Sequence, residues 1–493
     1  MALNIDQEKI IRAVRESIPL AITTYKLPHE TEMDLENVLG MFLKEMDQDI
    51  LKDRLSYCLR ELAVNAKKAN TKRVYFEEKN LDLSQNDHYE KGMRNFKEDT
   101  FNNLEHYLNL QKEKGLFIKI IFHCRGKNFK LSIKNNVEIN RKEQMRIYDR
   151  IARSRAFDSM EEAFAEVLDD SEGAGLGIVI LILMLRKMGL DEESFEIEGE
   201  NGITTASLTI PVGEVHLEKL DLLTTQIVEE IEALPQFPDN IVHLQNLIND
   251  PDSEISEIAR RIATDPSLTA DLLKTVNSAQ FMLPNKVDNI ADAVKMVGLR
   301  GLKNLLYSYG TEKILNFPEK KELWEHAHRT AYYSYNLARN RKLKKDIVDD
   351  AYIGGILHDM GKIVFSNVHP MLIERIQEFS VDKEIPGELF ERLSAGYNHA
   401  EVGAKIAEKW NFPDSLVKAI EHHHNPENCE NEFKPLVYTI YLANAICNLE
   451  KKEISFDQLD EKVLTFFKIT SFEQIKHIMN RLSKDFENEK LNI

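Results

Sequence analysis

Apolar positions follow two different periods along this chain, and the change falls near residue 215. Before that point, stretches with helical spacing are interrupted by short runs in which apolar and polar residues alternate, as they do in strands. From about residue 217 onward, the helical spacing continues almost without interruption. The pattern therefore predicts a multidomain chain, with an α/β sandwich in the N-terminal part and an all-α domain in the C-terminal part.

The same periodicity predicts the individual elements. In the N-terminal part we expect helices at residues 5–18, 32–46 and 51–70, and strands at 73–77, 116–124, 129–134 and 204–211. The charged stretch 80–111 is predicted to be a surface insertion, and a helix at 217–234 is predicted to connect the two parts. Helices of the second part are predicted at 255–263, 268–276, 290–297, 323–339, 347–357, 371–379, 388–410 and 415–422.

Composition narrows the class of protein. Of 493 residues, 43% are hydrophobic and 30% are charged, which is typical of a folded globular protein. The formal net charge of −18 repels phosphate backbones, and no long Lys/Arg block opposes that field, so DNA is not an expected partner. The longest apolar run, at 178–185, is far too short to span a membrane. We therefore predict a cytoplasmic protein with no membrane segment.

The cysteines agree with that location. Cys58, Cys124, Cys429 and Cys447 are far apart and form no Cys-x-x-Cys pair. A disulfide framework or a zinc–thiolate site is usually marked by closer or paired spacing. Four scattered cysteines fit a reducing cytosol.

One motif in the N-terminal part places three polar groups on a single helix face. Glu61 and Asn65 are four residues apart, and Lys68 follows three residues later on the same face. A carboxylate, an amide and an ammonium group in this arrangement can hold a hydrated magnesium ion and phosphates. The alternative is an ordinary solvated helix face.

A second motif is the glycine-rich run 173–177, which leads directly into an apolar segment. Glycines allow backbone amides to approach a phosphate closely, and the start of the following helix offers partial positive charge. The alternative is a tight turn that packs a helix closely against a sheet. The glycines of this motif are Gly173, Gly175 and Gly177.

Together and in this order, the two motifs resemble the GHKL fold of histidine-kinase-type ATPases, over roughly residues 30–212. The resemblance implies that ATP binds with magnesium, that Glu61 is the base, and that Asn65 holds the magnesium ion. It also implies that Lys68 belongs to the same box and that the glycine run surrounds the nucleotide phosphates.

This sequence departs from the GHKL pattern at the adenine-reading Asp-x-Gly-x-Gly box. After the predicted strand 129–134 the chain has Asn135-Asn136-Val137, in which the Asn135 carbonyl can accept a hydrogen bond from an adenine amino group. No phosphoacceptor-histidine helix precedes the domain, so kinase activity is not expected. The alternative to an ATP-binding domain is a pseudo-ATPase sensor or a dimerisation module.

The C-terminal part carries a longer resemblance. The run Leu234–Pro238 is followed by Asp265-Pro266, by an apolar helix face at 268–276 and by a further helix that ends before Gly298. Along about 200 residues this succession resembles the HDOD domain, a helical signalling relative of the HD-type metal phosphohydrolases. We expect most of these residues to be core positions and helix caps.

The chemistry of this part centres on His358-Asp359, the ligand pair after which the HD superfamily is named. Further histidines at positions 326, 328, 399 and 422–424 predict a buried polar cluster on neighbouring helices. Mixed nitrogen and oxygen ligands suit manganese, iron or magnesium. The sequence leaves open which residue of the run 422–424 points inward.

In HD enzymes, a histidine upstream of the pair and an aspartate on a late helix complete the metal site. The resemblance gives the first role to His328, whereas the late position is Asn444, a neutral and weaker ligand. The implied metal ligands are His328, His358, Asp359, His399 and His423.

These features favour a bacterial signal-transduction protein that relays a sensed ligand or nucleotide through a non-catalytic HDOD domain to other signalling proteins. The main alternative is a metal-dependent phosphohydrolase, acting on nucleotides or cyclic dinucleotides under control of the N-terminal domain. A third is an ATPase that drives the HDOD domain, and homodimerisation remains open. The predicted divisions are an N-terminal helix at 1–30, a GHKL-like domain at 31–213, a connecting helix at 214–234, an HDOD domain at 235–450 and a helical tail at 451–493.

Overall fold

A computed structural model describes most of the chain. The described residues are 7–83, 85–157, 162–163, 176–211, 222–250, 253–277, 287–315, 321–368, 376, 380 and 386–490.

The chain divides into two compact units. The first comprises residues 1–221 and 374–394, and the second comprises residues 222–373 and 395–493. The boundary predicted from the sequence lies near residue 213. Residues 374–394 belong to the first unit, although they lie within the predicted HDOD range. Each unit has its own core.

The first unit combines helices with an antiparallel sheet. The α-helices described within its residues 1–221 are α1 (Gln7–Arg15), α2 (His29–Glu45), α3 (Lys52–Glu78), α4 (Asn86–Asn102), α5 (Leu104–Glu113), α6 (Arg141–Ser154) and α7 (Leu176–Lys187). Its described strands are β1 (Leu20–Thr24), β2 (Ile118–Arg125), β3 (Asn128–Asn135), β4 (Phe195–Glu200) and β5 (Ile203–Pro211), in the sheet order β1-β2-β3-β5-β4.

One face of this sheet forms a core with the helices. Residues of β2 alternate between buried and half-buried along most of the strand, which is the period-two pattern of a strand covered on one side. Phe122 of β2 stacks on Phe42 of α2 with their ring centroids 5.3 Å apart, and Phe129 of β3 lies 6.3 Å from the same ring. The predicted combination of helices with a sheet is thus confirmed, whereas the GHKL relationship remains a prediction from the sequence.

Several elements differ from the sequence prediction. Residues 73–77, predicted as a strand, continue α3 to Glu78. Val74, Tyr75 and Phe76 are consecutive buried residues, and Tyr75 makes an edge contact with Phe96 of α4 at 5.2 Å. The predicted surface insertion supplies α4 and α5, so the apolar run of α3 is covered on more than one side and loses helical periodicity. Strands β1 and β4 were not predicted, because each is short and has few buried residues.

The second unit is helical throughout its described residues. Its longer helices are α8 (Leu222–Ala233), α9 (Asp239–Asn249), α10 (Ile255–Ala263), α11 (Pro266–Val276), α12 (Ile290–Leu315), α13 (Lys321–Asn340), α14 (Lys345–Leu357), α15 (Gly361–Val368), α17 (His399–Lys409), α18 (Asp414–His422), α19 (Lys434–Glu450), α20 (Glu461–Phe467) and α21 (Phe472–Lys490). Helix α16 (Gly387–Ala395), which belongs to the first unit up to residue 394, precedes α17 along the chain.

The predicted continuous helix 388–410 is broken between α16 and α17. Gly396 has a φ of 72°, which favours glycine and ends the first helix. Asn398 then caps α17: its side chain accepts a hydrogen bond from the Glu401 amide, and the Glu401 carboxylate accepts one from the Asn398 amide. As a result, His399 is the first residue of a new helix. None of the described helices is long and apolar enough to cross a membrane.

Asp350 is a buried polar hub of the second unit. Its carboxylate accepts hydrogen bonds from Arg300 Nε at 3.0 Å and Nη2 at 2.6 Å, from Asn304 Nδ2 at 2.9 Å and from Ser415 Oγ at 3.0 Å. It therefore ties α12, α14 and the start of α18 together. The Asp350 side chain is only 5% exposed and Asn304 is also buried, so water cannot readily replace the hydrogen bond between them.

We predict that Asp350→Ala lowers the free energy of unfolding by about 2 kcal/mol, because it leaves the buried Asn304 amide without its acceptor. The half-exposed Arg300 contributes less because solvent screens it. Urea denaturation monitored by circular dichroism measures the change. Lys345→Ala, at an exposed position of α14, is the matched control and should leave the midpoint unchanged. Equal midpoints for Asp350→Ala and the wild-type protein would contradict the assignment.

Candidate metal centre

Close helix packing positions the His358-Asp359 pair. A Cβ atom at Gly355 would lie 2.5 Å from the Ala331 Cα atom of α13, and one at Gly354 would overlap the Ile440 side chain of α19. These two glycines therefore let α14 approach α13 on one side and α19 on the other. Since α14 ends at Leu357, the pair follows directly from this packed segment.

A third glycine brings in the start of α17. A Cβ atom at Gly361, the first residue of α15, would overlap the backbone carbonyl of His399. Only glycine leaves room for this approach. The capped N-terminus of α17 therefore lies beside the turn that carries Asp359, and His399 faces it.

The Asp359 carboxylate is the centre of the cluster. Its Oδ2 atom lies 3.3 Å from His358 Nε2, 3.5 Å from His326 Nε2 and 2.8 Å from Lys362 Nζ. Its Oδ1 atom lies 3.2 Å from His399 Nε2 and 3.6 Å from His423 Nε2. Each carboxylate oxygen thus faces a different set of imidazoles.

Backbone carbonyls orient two of the rings. His358 Nδ1 lies 2.8 Å from the Gly355 carbonyl oxygen, and His423 Nδ1 lies 2.7 Å from the Ile420 carbonyl oxygen. Because a carbonyl only accepts, these contacts assign the proton of a neutral ring to Nδ1 and leave the Nε2 lone pair directed at Asp359. This is the arrangement in which histidine binds metals, with the second nitrogen held by a hydrogen bond.

Three imidazole nitrogens converge on the other side of the carboxylate. His399 Nε2 lies 3.3 Å from His423 Nε2 and 3.0 Å from His424 Nε2. A single ring proton cannot satisfy all three nitrogens. A cation bound between them and Asp359 would accept all the lone pairs together.

Burial makes unpaired polar atoms in this cluster energetically costly. His358, Asp359 and His423 are 0% exposed, His399 is 2% exposed and His326 is 9% exposed. Within the described part of the chain, buried polar atoms without a hydrogen-bond partner include His326 Nδ1, His358 Nε2 and Asp359 Oδ1. Leaving such a group unpaired costs about 1–3 kcal/mol. The donor set therefore fits a bound divalent ion.

The charge states agree with that fit. Burial alone would raise the pKa of the Asp359 carboxyl, but the neighbouring His358 and Lys362 outweigh it and hold that pKa well below its usual value. Burial lowers the pKa of His423 to about 3 and also lowers the pKa values of His326 and His424. At neutral pH an ionised carboxylate thus lies close to the neutral rings of His326, His423 and His424, which is the protonation state that metal ligands require.

The ligand atoms form two overlapping groups. One consists of His326, His358 and Asp359, and in it one donor atom from each residue lies within 4.8 Å of the others. The other meets the same distance limit and consists of Asp359, His399, His423 and His424. Because both contain Asp359, its carboxylate would be a ligand whichever of the two groups held an ion.

The structure places His326 in the cluster, where the sequence predicted His328. Two residues on a helix point in nearly opposite directions, so one helix face cannot present both. His328 instead contacts the Trp324 ring, with a centroid distance of 4.0 Å. The structure does bring together His358, Asp359, His399 and His423, and it adds His424. The run 422–424 had indicated His424 only as one of three alternatives.

Asn444, at the predicted late position, lies on α19, the helix that contacts Gly354. Its side chain is 5% exposed, and among the described residues its Oδ1 atom finds no hydrogen-bond partner. The amide oxygen is therefore not committed to another described side chain.

The residues predicted to bind nucleotide are partly brought together. Asn65 Nδ2 donates to Glu61 Oε1 at 2.9 Å, and a Cβ atom at Gly177 would overlap the Glu61 carboxylate. The helix motif and the end of the glycine motif are thus adjacent. Lys68 is half-buried on the same helix, whereas Gly173 and Gly175 lie outside the described residues.

Asn135 has another partner. Its side-chain amide donates to Asn70 Oδ1 at 3.1 Å, and the Asn70 amide in turn donates to the Phe117 carbonyl at 3.3 Å. Asn135 is 4% exposed, so this pair links the end of β3 to α3 inside the unit. Its carbonyl oxygen is not committed by these bonds.

Comparison with known proteins places the cluster in a family. Residues 234–426 match the HDOD domain family. Over 488 residues the chain is 37% identical to a protein of Treponema pallidum (strain Nichols) that bears the name Uncharacterized protein, and the match covers 99% of this chain and 95% of the relative.

Two further similarities are partial. Over 171 residues the chain is 24% identical to a Ribonuclease Y of Thermus thermophilus, which covers 31% of this chain and 24% of that protein. The crystal structure of an HDOD domain protein with unknown function from Geobacter sulfurreducens is 22% identical and aligns with 55% of this chain and 95% of its own, with a TM-score of 0.42. The chain therefore belongs to the same family as the Treponema pallidum protein, and its residues 234–426 form an HDOD domain.

Proposed function

We propose that this chain is a signal-transduction protein in which the HDOD domain relays a ligand-dependent state without catalysing a reaction. The Asp359 cluster would hold a divalent ion (manganese, iron or magnesium) as a part of that relay. One observation carries the proposal: imidazoles from several helices converge on the Asp359 carboxylate, and these side chains are between 0% and 9% exposed, His424 alone being half-buried.

A catalytic metal site keeps one coordination position open to water and substrate, whereas a closed site is structural or regulatory. In this cluster Lys362 Nζ also lies 2.8 Å from Asp359 Oδ2 and occupies part of the carboxylate. The late ligand position carries the amide of Asn444 in place of a carboxylate, which removes one negative charge. These features favour a bound ion that stabilises the helix packing, rather than an ion that catalyses phosphodiester hydrolysis.

The positions of the cluster's ligands on several helices support a role in signal relay. Its ligands come from α13, from the turn after α14, from the start of α17 and from the end of α18. An ion that binds all of them favours the packing in which these helices are close together. Gain or loss of the ion would then change the surface that other signalling proteins contact.

A second candidate is a metal-dependent phosphohydrolase. The shared carboxylate of Asp359 favours it, because paired ions about 3.5–4 Å apart are the usual arrangement in enzymes that cleave phosphate esters. Its substrates would be nucleotides, cyclic dinucleotides or RNA phosphodiesters, the last suggested by the name of the Ribonuclease Y relative. Catalysis requires the cluster to open to solvent.

For the first unit we propose a sensing role, with ATP and magnesium as the candidate ligand. The adjacency of Glu61, Asn65 and Gly177 supports this choice. The Asn135 side-chain NH2 group already donates a hydrogen bond to Asn70. Only the side-chain carbonyl oxygen of Asn135 would therefore contact adenine. A pseudo-ATPase sensor that binds another ligand is the alternative.

Metal binding is tested by a matched pair of variants on α13. We predict that untagged wild-type protein, stripped with a chelator and dialysed against manganese, retains about one equivalent or more. His326→Ala should lose at least roughly ten-fold in affinity because it removes a ligand, whereas His328→Ala should match the wild type. Inductively coupled plasma mass spectrometry measures the retained metal. Equal losses in both variants, or no metal in the wild type, would contradict the site.

Absence of turnover is tested on the metal-loaded protein. We predict no hydrolysis of bis(p-nitrophenyl) phosphate, of a cyclic dinucleotide or of an RNA oligonucleotide beyond the rate of an Asp359→Asn control. The reason is burial: His358, Asp359 and His423 are 0% exposed, so a substrate cannot reach them without a rearrangement of the helices. Hydrolysis that disappears in Asp359→Asn would reject the relay and establish the phosphohydrolase.

Coupling between the two parts of the chain is tested by linkage. If the first unit senses ATP and the HDOD domain relays that state, ATP with magnesium should change the manganese affinity of the Asp359 cluster about five-fold or more, in either direction. Isothermal titration with and without ATP measures the change, and Asn65→Ala should abolish it. A manganese affinity that ATP leaves unchanged, although ATP binds, would show that the first unit does not communicate with the cluster.

A further inference from the structure

A second group of metal-binding side chains lies outside the Asp359 cluster. His422 is the last residue of α18, and Cys429 and Glu430 follow the short 3-10 helix Pro426–Asn428. One donor atom from each of these three residues lies within 4.8 Å of the others. His422 is the member of the histidine run that the Asp359 cluster does not use.

The backbone between these residues forms a defined turn. The Asn425 amide donates to the His422 carbonyl at 3.1 Å, and the Asn428 amide donates to the Asn425 carbonyl at 3.1 Å. On the far side, the Phe433 amide donates to the Glu430 carbonyl at 3.1 Å, just before α19 begins. The three side chains are therefore held near one another by local structure, which lowers the entropic cost of binding an ion.

The donor types differ from those of the Asp359 cluster. An imidazole, a thiol and a carboxylate are the three kinds of ligand that zinc takes in proteins, and the thiolate selects a softer ion than manganese or magnesium. The Cys429 residue is only 4% exposed, and its Sγ atom lies 3.8 Å from Glu430 Oε2, to which the thiol donates. The carboxylate is thus already directed at the sulfur.

Protonation follows from this environment. Burial, with a further contribution from Glu430, raises the pKa of the Cys429 thiol to about 11, so the free protein holds a thiol. Zinc binding displaces that proton to solvent and leaves a zinc-bound thiolate. No oxidant or other reactant is needed.

The surrounding charges suit a divalent cation. Glu421 Oε2 lies 3.5 Å from His422 Nε2, and Lys418 Nζ donates to the same Glu421 carboxylate at 2.7 Å. Once the thiolate has formed, it and the carboxylates of Glu421 and Glu430 supply three negative charges. The Lys418 ammonium cancels one of them, and a zinc ion balances the remaining two.

We propose that His422, Cys429 and Glu430 form a zinc site distinct from the Asp359 cluster, with Glu421 or a water molecule as the fourth ligand. The spacing His-x6-Cys-Glu explains why the scattered cysteines gave no sign of it, since it contains no cysteine pair. Because His423 and His424 directly follow His422, zinc at this site would also restrain the segment that carries two residues of the Asp359 cluster.

Cobalt is the probe that separates the two sites. A thiolate bound to cobalt gives a strong near-ultraviolet charge-transfer absorbance, and the Asp359 cluster contains no sulfur. We expect untagged, metal-free full-length protein to develop this absorbance with about one equivalent of cobalt and to lose it when zinc is added. Asp359→Ala should retain it, because it disrupts only the other cluster.

Variants assign the ligands. Cys429→Ser should abolish the charge-transfer absorbance, whereas the matched control Cys124→Ser, a change at another buried cysteine, should retain it. Glu430→Gln, an exposed position that cannot disturb the core, should weaken zinc binding roughly ten-fold or more. His422→Ala should weaken it at least as much, and circular dichroism checks that each variant is folded.

Absence of the absorbance in folded wild-type protein would overturn the proposal. So would its persistence in Cys429→Ser or its loss in Asp359→Ala. Unchanged zinc affinity in both Glu430→Gln and His422→Ala would overturn the ligand assignment. None of these results depends on whether the HDOD domain relays a signal.

Discussion

The candidate metal centre depends on one buried charge, the carboxylate of Asp359. Burial lowers the pKa values of the nearby His326, His423 and His424, so these three rings supply lone pairs and little positive charge. Lys362 is the cation that touches this carboxylate in the described structure. The helix packing around it follows from this requirement: Gly354, Gly355 and Gly361 remove side chains so that the ligand-bearing segments can surround the carboxylate.

The sequence predicted those parts of the fold and site that depend on local pattern. Helices and strands with one buried face were found, and His358-Asp359 was recognised because its two ligands are adjacent in the chain. The prediction of a strand at 73–77 was wrong. The charged stretch that follows forms α4 and α5, which pack on the end of α3 and bury it on more than one side. Hydrophobic periodicity indicates a helix when one of its faces is exposed to solvent. It cannot show that a segment distant in sequence buries the other faces as well.

Within the site, the sequence pattern also failed to distinguish His326 from His328 as the ligand. Both lie upstream of the pair at a suitable distance along the chain, and only the rotation of α13 decides which ring faces Asp359. Extending the helical phase from the buried Ala327, Thr330 and Ser334 would have placed His326, rather than His328, nearer the buried face. The sequence could not select His424 from the run 422–424 or indicate the group around Cys429, because both depend on the three-dimensional path of the turn 422–430.

The Asp359 cluster is expected to bind a divalent ion within the buried core of the second unit. Anomalous diffraction from crystals grown with manganese, recorded at the manganese edge, tests this most directly. We expect a peak about 2.0–2.3 Å from an Asp359 oxygen and from the imidazole nitrogens that face it, with no channel to solvent at that position. Rings hydrogen-bonded to one another and to Asp359, with no anomalous peak between them at saturating manganese, would contradict it.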